Sequence, residues 1–271
     1  MRLNDYEKEA KRQIEAWHHG EASFVAQAMN WAMQPMDWVV KRTVSPDVVD
    51  QVDEAVSDFL SMLNDASGWT YDPDNVLSGA RSHGMDISAV AELRDMPLEK
   101  LDRLARTYVS ENAILAAVEG GGTGLGGALL IAADIPLLFT INLRLIQQIG
   151  AAYGFSVKGP EYRPIVLSIF NVAASSGRDA KGDALREINV AGAAFAHGTG
   201  YKGRVSGTFR DQNRHLPREI AKNIVGRKLA QAIPVAGAAI GAGINYWFTT
   251  ETAESAYMLF RALYLERKER S

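Results

Sequence analysis

Two glycine-rich apolar segments constrain the fold of this 271-residue chain more than any other feature. The first, Gly120–Ile141, has the sequence GGGTGLGGALLIAADIPLLFTI, and the second, Leu229–Phe248, has the sequence LAQAIPVAGAAIGAGINYWF. Each is close to the roughly 20 residues that a helix needs to span a bilayer. Because a helix that is apolar all round lies either in a membrane or in a protein core, these are the two environments open to them.

Polar residues within both segments oppose a transmembrane position. The first segment contains Asp134 and Pro136, and a central Asp opposes insertion by about 2.5–3.5 kcal/mol. The second contains Gln231, Pro234 and Asn245, and most of its apolar residues are Ala and Gly, which favour insertion less than Leu or Ile do. We therefore favour a buried helical hairpin, with two membrane spans as the alternative.

Small residues in both segments recur four positions apart, which places them on one helix face and lets another helix approach closely. These pairs are Gly122 with Gly126, Gly237 with Gly241, and Ala239 with Gly243. Residues 122–127 also match G-x-G-x-x-G, but a helical pattern precedes them and no acidic residue follows about 20 positions later. The spacing thus predicts two packed helices and argues against a nucleotide site.

Helical patterns also dominate the rest of the chain. Asn4 and Glu7 form a capping-box start for a helix through about Trp17. Further helices are predicted at about 23–40, after Ser45-Pro46, and after Pro97, whereas residues 64–85 have the composition of a loop. No segment shows the sustained alternation of a strand. We expect a single all-α domain over residues 1–271, in which the two glycine-rich segments pack together.

Charge is distributed unevenly along the chain. Residues 1–112 form an acidic helical part with 11 Lys/Arg against 20 Asp/Glu, whereas residues 113–271 form a glycine-rich and basic part with 18 against 12. The excess in the second part equals the net +6 of residues 201–228, which end at the second glycine-rich segment. A basic stretch beside an apolar one favours adsorption to an anionic membrane, at about 1 kcal/mol per basic residue. The candidate lipid contacts are Lys202, Arg204, Arg210, Arg214, Arg218, Lys222, Arg227 and Lys228.

This basic stretch has two other interpretations. It can instead be a solvated surface that offsets the acidic first part of the chain. Nucleic acid is disfavoured as a partner, because few aromatic residues are interleaved with the basic ones and the overall pI is about 6.0. The membrane surface and the acidic half of the chain therefore remain as the two candidates.

The first glycine-rich segment and the residues after it contain a candidate polar cluster. Asp134, Asn142 and Arg144 lie in apolar surroundings, where a charge needs a partner or a boundary position. In the simplest interpretation Asp134 caps a helix begun by Pro136, and Arg144 lies at the wet end of that helix. In the functional interpretation the three residues, with Gln147 and Tyr153, line a pocket for a ligand or a lipid headgroup.

The chain carries no recognisable catalytic motif. It has no cysteine, no H-E-x-x-H pair, no G-x-S-x-G elbow and no P-loop lysine. We therefore predict no catalytic residue, no metal site and no cofactor. The charged N-terminus lacks the apolar run of a secretory signal, so we expect a cytoplasmic protein.

Two blocks of sequence resemble the EcsC family. In residues 120–155 a glycine-rich run is followed by Ala-Asp-Ile-Pro, Asn-x-Arg-x-Ile-Gln and Tyr-Gly, and residues 233–246 are similar to the family's C-terminal Ile-Pro-x-x-Gly-(x)3-Gly-(x)3-Asn run. The matching positions are Gly121, Gly124, Gly127, Asp134, Pro136, Asn142, Arg144, Gln147, Tyr153, Gly154, Pro234, Gly237, Gly241 and Asn245. That family is named after the third product of a bacterial operon whose other products form an ABC transporter. The resemblance implies a bacterial origin and a membrane or transporter neighbourhood, and it supplies no catalytic residue.

These observations predict a non-enzymatic accessory protein at the cytoplasmic face of the membrane, linked to an ABC transporter or to secretion. Its expected partners are an anionic membrane surface or a membrane transporter. Two alternatives remain, namely a soluble helical interaction module whose glycine-rich hairpin is core, and an enzyme or ligand-binding protein that uses the polar cluster around Asp134. The oligomeric state is not predicted.

Overall fold

The computed structural model describes residues 3–19, 45–65, 69, 71–124, 128–175, 182–189, 192, 207–229 and 237–270, and these residues contain helices and no strand. The all-α prediction is confirmed. The helices are α1 (Asp5–His18), α2 (Pro46–Met62), α3 (Pro73–Ser82), α4 (Leu98–Gly124), α5 (Ala128–Ala152), α6 (Arg163–Ala174), α7 (Gly207–Leu229) and α8 (Gly237–Arg270). Short 3-10 helices lie at Val90–Asp95 and Pro160–Tyr162, and residues 182–189 are also helical.

Two predicted helix starts are present. At α1, Asn4 Oδ1 accepts a hydrogen bond from the Glu7 N–H at 2.9 Å, and the Asn4 N–H donates to Glu7 Oε2 at 3.0 Å, which completes the capping box. At α2, Pro46 occupies the first turn, although the Ser45 side chain makes no capping hydrogen bond. The helix predicted at about 23–40 lies outside the described residues.

One predicted loop contains a helix. Within residues 64–85, α3 begins after Asp72, whose Oδ1 accepts from the Asp74 N–H at 2.9 Å, with Pro73 in the first turn. The helix buries Val76 and Ala80 on one face. The prediction was wrong because the loop-like composition concealed an Asp-Pro start signal followed by a short amphipathic pattern.

The first glycine-rich segment is divided between two helices. Residues 120–124 end α4, and α5 begins at Ala128, so the segment forms a helical hairpin rather than one helix. Asp134 and Pro136 both lie inside α5, and the prediction that Asp134 caps a helix begun by Pro136 is therefore wrong. The helix has already formed before Asp134, which leaves its carboxylate available for contacts with other helices.

Three long helices, α4, α5 and α8, pack against one another in pairs. α4 and α8 run antiparallel, because Gly120 near the end of α4 lies against Gly241 near the start of α8, and Tyr264 OH donates to the Met96 carbonyl at 2.8 Å at the opposite end. α7 packs on α2 and α6, and α1 packs on α8. All the described helices contribute to one hydrophobic cluster, as a single-domain chain requires.

Four phenylalanines hold the centre of this cluster. Phe139 of α5 stacks on Phe59 of α2, with ring centroids 5.1 Å apart, and meets Phe170 of α6 edge-to-face at 5.1 Å. Phe248 of α8 completes the group at 5.4 Å from Phe139. Aromatic pairs in these geometries contribute about 0.5–1.5 kcal/mol each beyond the burial of their area. The four rings therefore connect α2, α5, α6 and α8 through side chains alone.

α5 ends at a glycine that must adopt a left-handed conformation. Gly154 has φ of +80°, and the Phe155 N–H donates to the Gly150 carbonyl at 2.9 Å while the Gly154 N–H donates to the Ala151 carbonyl at 2.8 Å. This pattern is a Schellman motif. A Cβ at Gly154 would also lie 2.8 Å from the backbone nitrogen of Arg94, so both the conformation and the space require glycine.

We expect Gly154→Ala to lower the free energy of unfolding by about 2–4 kcal/mol, because it adds a steric clash to the strain of a left-handed residue. Gly84→Ala is the matched control, since Gly84 has φ of +71° but nothing within 4 Å of the added Cβ. The Gly84→Ala variant should lose only about 1–2 kcal/mol of its free energy of unfolding. Urea denaturation of both variants checks this, and equal losses would contradict the role given to Arg94.

Candidate functional site

A lysine, a carboxylate and an amide meet inside the protein where the two glycine-rich segments converge. Lys228 in the last turn of α7 donates hydrogen bonds from Nζ to Asp134 Oδ2 on α5 and to Asn245 Oδ1 on α8. Asn245 Nδ2 in turn donates to Asp134 Oδ1 at 3.2 Å. None of the three residues is more than 1% exposed. This buried triad of Asp134, Lys228 and Asn245 fixes three helices at one point.

A fourth helix reaches the triad through a glycine. A Cβ added to Gly120 of α4 would lie 2.5 Å from the Gly241 carbonyl oxygen and 2.5 Å from Asn245 Nδ2. Real Cβ atoms do not come so close, so only glycine permits this separation of α4 and α8. The close approach places Asn245 where it can bridge Lys228 and Asp134.

The charges of Lys228 and Asp134 depend on each other inside the triad. Burial lowers the pKa of Lys228, and the neighbouring Asp134 carboxylate opposes that shift by favouring the charged ammonium. A buried ion pair adds little net stability compared with apolar side chains of the same size, but removal of one partner leaves an uncompensated buried charge. A helix arrangement that separated Lys228 from Asp134 would therefore leave a buried charge without its partner.

The structure separates the residues of the predicted polar cluster. Asn142 Nδ2 donates to the Leu138 carbonyl at 2.8 Å and to Thr249 Oγ1 of α8 at 3.0 Å, whereas Arg144 is exposed. Two residues along an α-helix correspond to a rotation of about 200°, which places Asn142 and Arg144 on opposite faces of α5. Asp134, Asn142 and Arg144 therefore do not line a common pocket.

Gln147 and Tyr153 also have separate partners. Gln147 Nε2 donates to the Val157 carbonyl at 3.0 Å, and Tyr153 OH donates to Asp102 Oδ1 at 2.6 Å. Burial first, and Asp102 next, raise the pKa of Tyr153 well above its ordinary value. Tyr153 thus belongs to a second buried polar network, far along α5 from the triad.

This second network, which we call the ionic clasp, joins α1, α4 and α8. Asp102 Oδ2 accepts from Tyr6 OH at 2.7 Å and pairs with Arg261 at 2.7 Å, and Arg261 donates to Gln13 Oε1 at 2.7 Å. Glu7, which is fully buried, pairs with Lys268. The clasp was not predicted, because its charges have the ordinary spacing of amphipathic helices and no local signal marks them as buried.

Of the five glycines predicted to allow close helix packing, Gly241 has a described contact of that kind. Gly241 meets Gly120, and Gly243 lies half-exposed on α8. Gly122 lies in the last turn of α4 and Gly237 is the first residue of α8, while Gly126 lies outside the described residues. Sequence spacing thus identified the partner on α8 but missed Gly120, the glycine that it contacts.

The basic residues proposed as lipid contacts have different environments. Arg218 and Lys222 are exposed on α7. Arg227 and Lys228 are buried, with the Arg227 guanidinium 3.8 Å from the centre of the Trp247 ring, so the structure does not place these two at a lipid surface. Lys202 and Arg204 lie outside the described residues, as do the side chains of Arg210 and Arg214.

Large apolar side chains are exposed at the same end of the bundle as the triad. Of the seven exposed large hydrophobic residues in the described part of the chain, five belong to the halves of α4, α5 and α8 that contain the triad or adjoin it. Val118 and Ile114 are the most exposed, at 69% and 64%. We call this set the apolar tip; its members are Ile114, Leu115, Val118, Leu137 and Tyr246.

Two further properties concern membranes and metals. One helix in the described part of the chain, Asp134–Ala152, is long and apolar enough to cross a membrane by length and composition, and 72% of this stretch is buried within the protein. Core helices of soluble proteins share these properties. Within the described ranges, no group of three or more His, Asp or Glu residues is placed to hold a metal ion.

The fold and the site together define a class of protein. It is an all-helical bundle in which two glycine-rich segments meet at a buried polar triad. The EcsC protein family model matches residues 8–265. The chain belongs to the EcsC protein family, as the sequence resemblance predicted.

Two relatives come from Bacillus subtilis (strain 168). The chain is 27% identical over 187 residues to a protein described as uncharacterized protein YdbA. The matched region covers 64% of this chain and 61% of that protein. The chain is 29% identical over 167 residues to Protein EcsC. This matched region covers 61% of the chain and 64% of Protein EcsC. The matches thus span less than two thirds of either relative. No solved structure matches the chain.

We expect Lys228→Met to lower the free energy of unfolding by about 3–5 kcal/mol, because it leaves the Asp134 carboxylate buried without its cation. The double variant Asp134→Leu/Lys228→Met should recover most of this loss. Lys8→Met is the control, since Lys8 and Asp5 form a pair at the surface, and it should cost less than about 1 kcal/mol. Chemical denaturation measures all three, and a double variant no more stable than Lys228→Met would refute the coupling.

Gly120→Ala tests the close approach of α4 and α8. The new methyl group meets the backbone oxygen of Gly241, which cannot turn aside as a side chain can. We expect a loss of about 1–3 kcal/mol, typical of overpacking. Gly182→Ala is the comparison, since nothing lies within 4 Å of a Cβ there. Thermal denaturation distinguishes them, and a Gly120→Ala variant as stable as the parent chain would contradict the packing.

Proposed function

We propose that this protein is a non-enzymatic accessory protein that associates with the cytoplasmic face of a membrane, next to a transport system. The observation that carries the proposal is the apolar tip. Ile114 and Leu115 lie four and three residues before Val118 and are therefore its neighbours on one exposed face of α4. Exposed large apolar side chains that are concentrated rather than scattered are typical of an interaction surface. The transporter neighbourhood comes from the family resemblance.

The polar residues support a non-enzymatic role. In the described part of the chain, Asp134, Lys228 and Asn245 bond to one another, and Asp102 is held by Tyr6, Tyr153 and Arg261. A general acid, base or nucleophile has to reach a substrate, and these buried groups face other side chains. Their arrangement suits the stabilisation of a fold better than the turnover of a substrate.

A soluble interaction module is the second candidate, and a specific observation favours it. Most of the Asp134–Ala152 stretch is buried, as in a core helix. α7 also packs beside the acidic helix α2, so part of its basic charge lies near carboxylates of the same chain. In this function the apolar tip binds a protein instead of lipid.

Vesicle sedimentation distinguishes the two functions. We expect the purified protein to sediment with phosphatidylcholine vesicles that contain phosphatidylglycerol. The double variant Ile114→Ser/Val118→Ser should bind at least about tenfold more weakly, because each exposed apolar side chain contributes on the order of 1 kcal/mol or more when it leaves water.

Met62→Ser is the matched control. Met62 is an exposed hydrophobic residue on α2, 38% exposed and outside the apolar tip, so its replacement should leave vesicle binding unchanged. Circular dichroism checks that each variant stays folded. Protein that remains in the supernatant with every vesicle composition would overturn membrane association and favour the soluble module.

A further inference from the structure

Four hydrogen-bonded side-chain contacts join α1 to α4 and α8 in the described part of the chain. Tyr6 OH donates to Asp102 Oδ2 of α4 at 2.7 Å. The other three contacts reach α8 and pair Glu7 with Lys268, Lys11 with Glu269, and Gln13 with Arg261. The buried side chains of Ala10, Ile14 and Trp17 complete the packing of α1. This helix therefore lies as a strap across α4 and α8.

The buried charges beneath α1 have partners that do not belong to α1. Asp102 accepts a hydrogen bond from Tyr153 OH at 2.6 Å and pairs with Arg261 at 2.7 Å. At the other end of α1, His18 Nδ1 and Asn189 Nδ2 lie 3.1 Å apart in an exposed contact. Departure of α1 leaves no buried charge without its partner, whereas loss of one residue from the triad does. We therefore expect α1 to open by local unfolding, at a lower free energy than the whole bundle requires.

The surface beneath α1 has more cations than carboxylates. We call it the seat; its charged and aromatic members are Asp102, Arg106, Tyr257, Arg261, Lys268 and Glu269. Arg106 and Arg261 each lie 5.2 Å from the centre of the Tyr257 ring. The carboxylate that pairs with Lys268 comes from α1 itself. An open α1 thus uncovers a cationic surface lined by a tyrosine, which suits an anionic helix.

One contact of α1 with the seat is weaker than the seat allows. Gln13 offers a neutral amide oxygen to Arg261 Nη1 at 2.7 Å. Arg261 is 2% exposed, and its Nε has no acceptor among the described residues. A carboxylate in place of the amide would accept a stronger, charge-assisted hydrogen bond. A helix that repeats the buried face of α1 and carries Glu at this position therefore fits the seat better than α1 does.

We propose that α1 is a displaceable strap and that its seat docks an acidic amphipathic helix of a partner protein. Such a helix places one carboxylate at Lys268 and another at Arg261, with apolar side chains on the same face, as α1 does with Ala10, Ile14 and Trp17. In the absence of the partner, α1 occupies the seat and blocks it. This inference goes beyond the proposed membrane association and does not depend on it, because the apolar tip takes no part in it.

The chain has no cysteine, so single thiols can report the opening of α1. Ala10→Cys places a thiol on the buried face of α1, and Ala173→Cys places one in α6, both at positions with 0% exposure. We expect a maleimide dye to label Ala10→Cys roughly 100-fold faster than Ala173→Cys, because local opening requires less free energy than global unfolding. Equal rates would mean that α1 leaves only when the bundle unfolds, and they would overturn the proposal.

A fluorescent peptide with the sequence of residues 3–19 probes the seat of the full chain by anisotropy. We expect the Gln13→Glu peptide to bind about fivefold more tightly than the parent peptide. Tyr6→Phe in the chain weakens the strap but not the peptide, which has its own tyrosine, so both peptides should bind about fivefold more tightly. Arg12→Gln in the chain is the control, since Arg12 is 71% exposed and pairs with Glu9 of the same helix.

A locked variant shows whether the peptide uses the seat. Lys11→Cys/Glu269→Cys, bridged by a short bismaleimide, holds α1 in place and should abolish peptide binding. Unchanged binding to the bridged chain, or no binding to the Tyr6→Phe variant, overturns the proposal whatever the vesicle experiment gives. A Gln13→Glu peptide no tighter than the parent peptide overturns the acidic partner. Dimers that the peptide dissociates in sedimentation velocity identify a second copy as the occupant and overturn the partner helix.

Discussion

The contact between Gly120 and Gly241 is the constraint on which the rest of the structure depends. Because neither residue has a side chain, α4 and α8 come close enough for Asn245 to reach the carboxylate of Asp134. That position in turn provides the second acceptor for the buried ammonium of Lys228. The absence of a Cβ at one position thus determines how four helices are joined, and the ion pair makes other arrangements unfavourable.

The bundle has two chemically different ends. At one end the ionic clasp ties α1 to α8 through buried and half-buried charges around Asp102 and Glu7. At the other, the glycine-rich segments meet at the triad and expose the apolar tip. α8 runs between them over 34 residues, about 50 Å at 1.5 Å per residue. This asymmetry gives the molecule a direction.

Much of the fold could be predicted from the sequence because its signals are local. The capping box at Asn4 and the long amphipathic pattern after Pro97 depend on neighbouring residues alone, and both predicted helices exist. The helix α3 was missed because the Asp72-Pro73 start lies in a segment of loop-like composition. Family membership was also predictable, since two motif blocks carry the resemblance.

The site was less predictable because it depends on contacts between distant residues. Asp134 was correctly singled out as a charge that needs a partner, but its partner, Lys228, was taken for a surface cation within a basic stretch. Periodicity along one helix gives the direction of a side chain and not the neighbour that it meets. Both Asp134 and Lys228 stand beside apolar, glycine-rich sequence, and that shared context was the one available signal that they belong together.

The triad also affects the order in which the chain can fold during synthesis. Asp134 is separated from Lys228 by 94 residues and from Asn245 by 111, so its carboxylate has no cation in the triad until the last sixth of the chain has begun to appear. At about 5–20 residues per second, this interval lasts roughly 5–20 s. During it the α4–α5 hairpin exists without α7 and α8, and its apolar surface is exposed. The nascent hairpin is therefore open to chaperones or a membrane before the native core can enclose it.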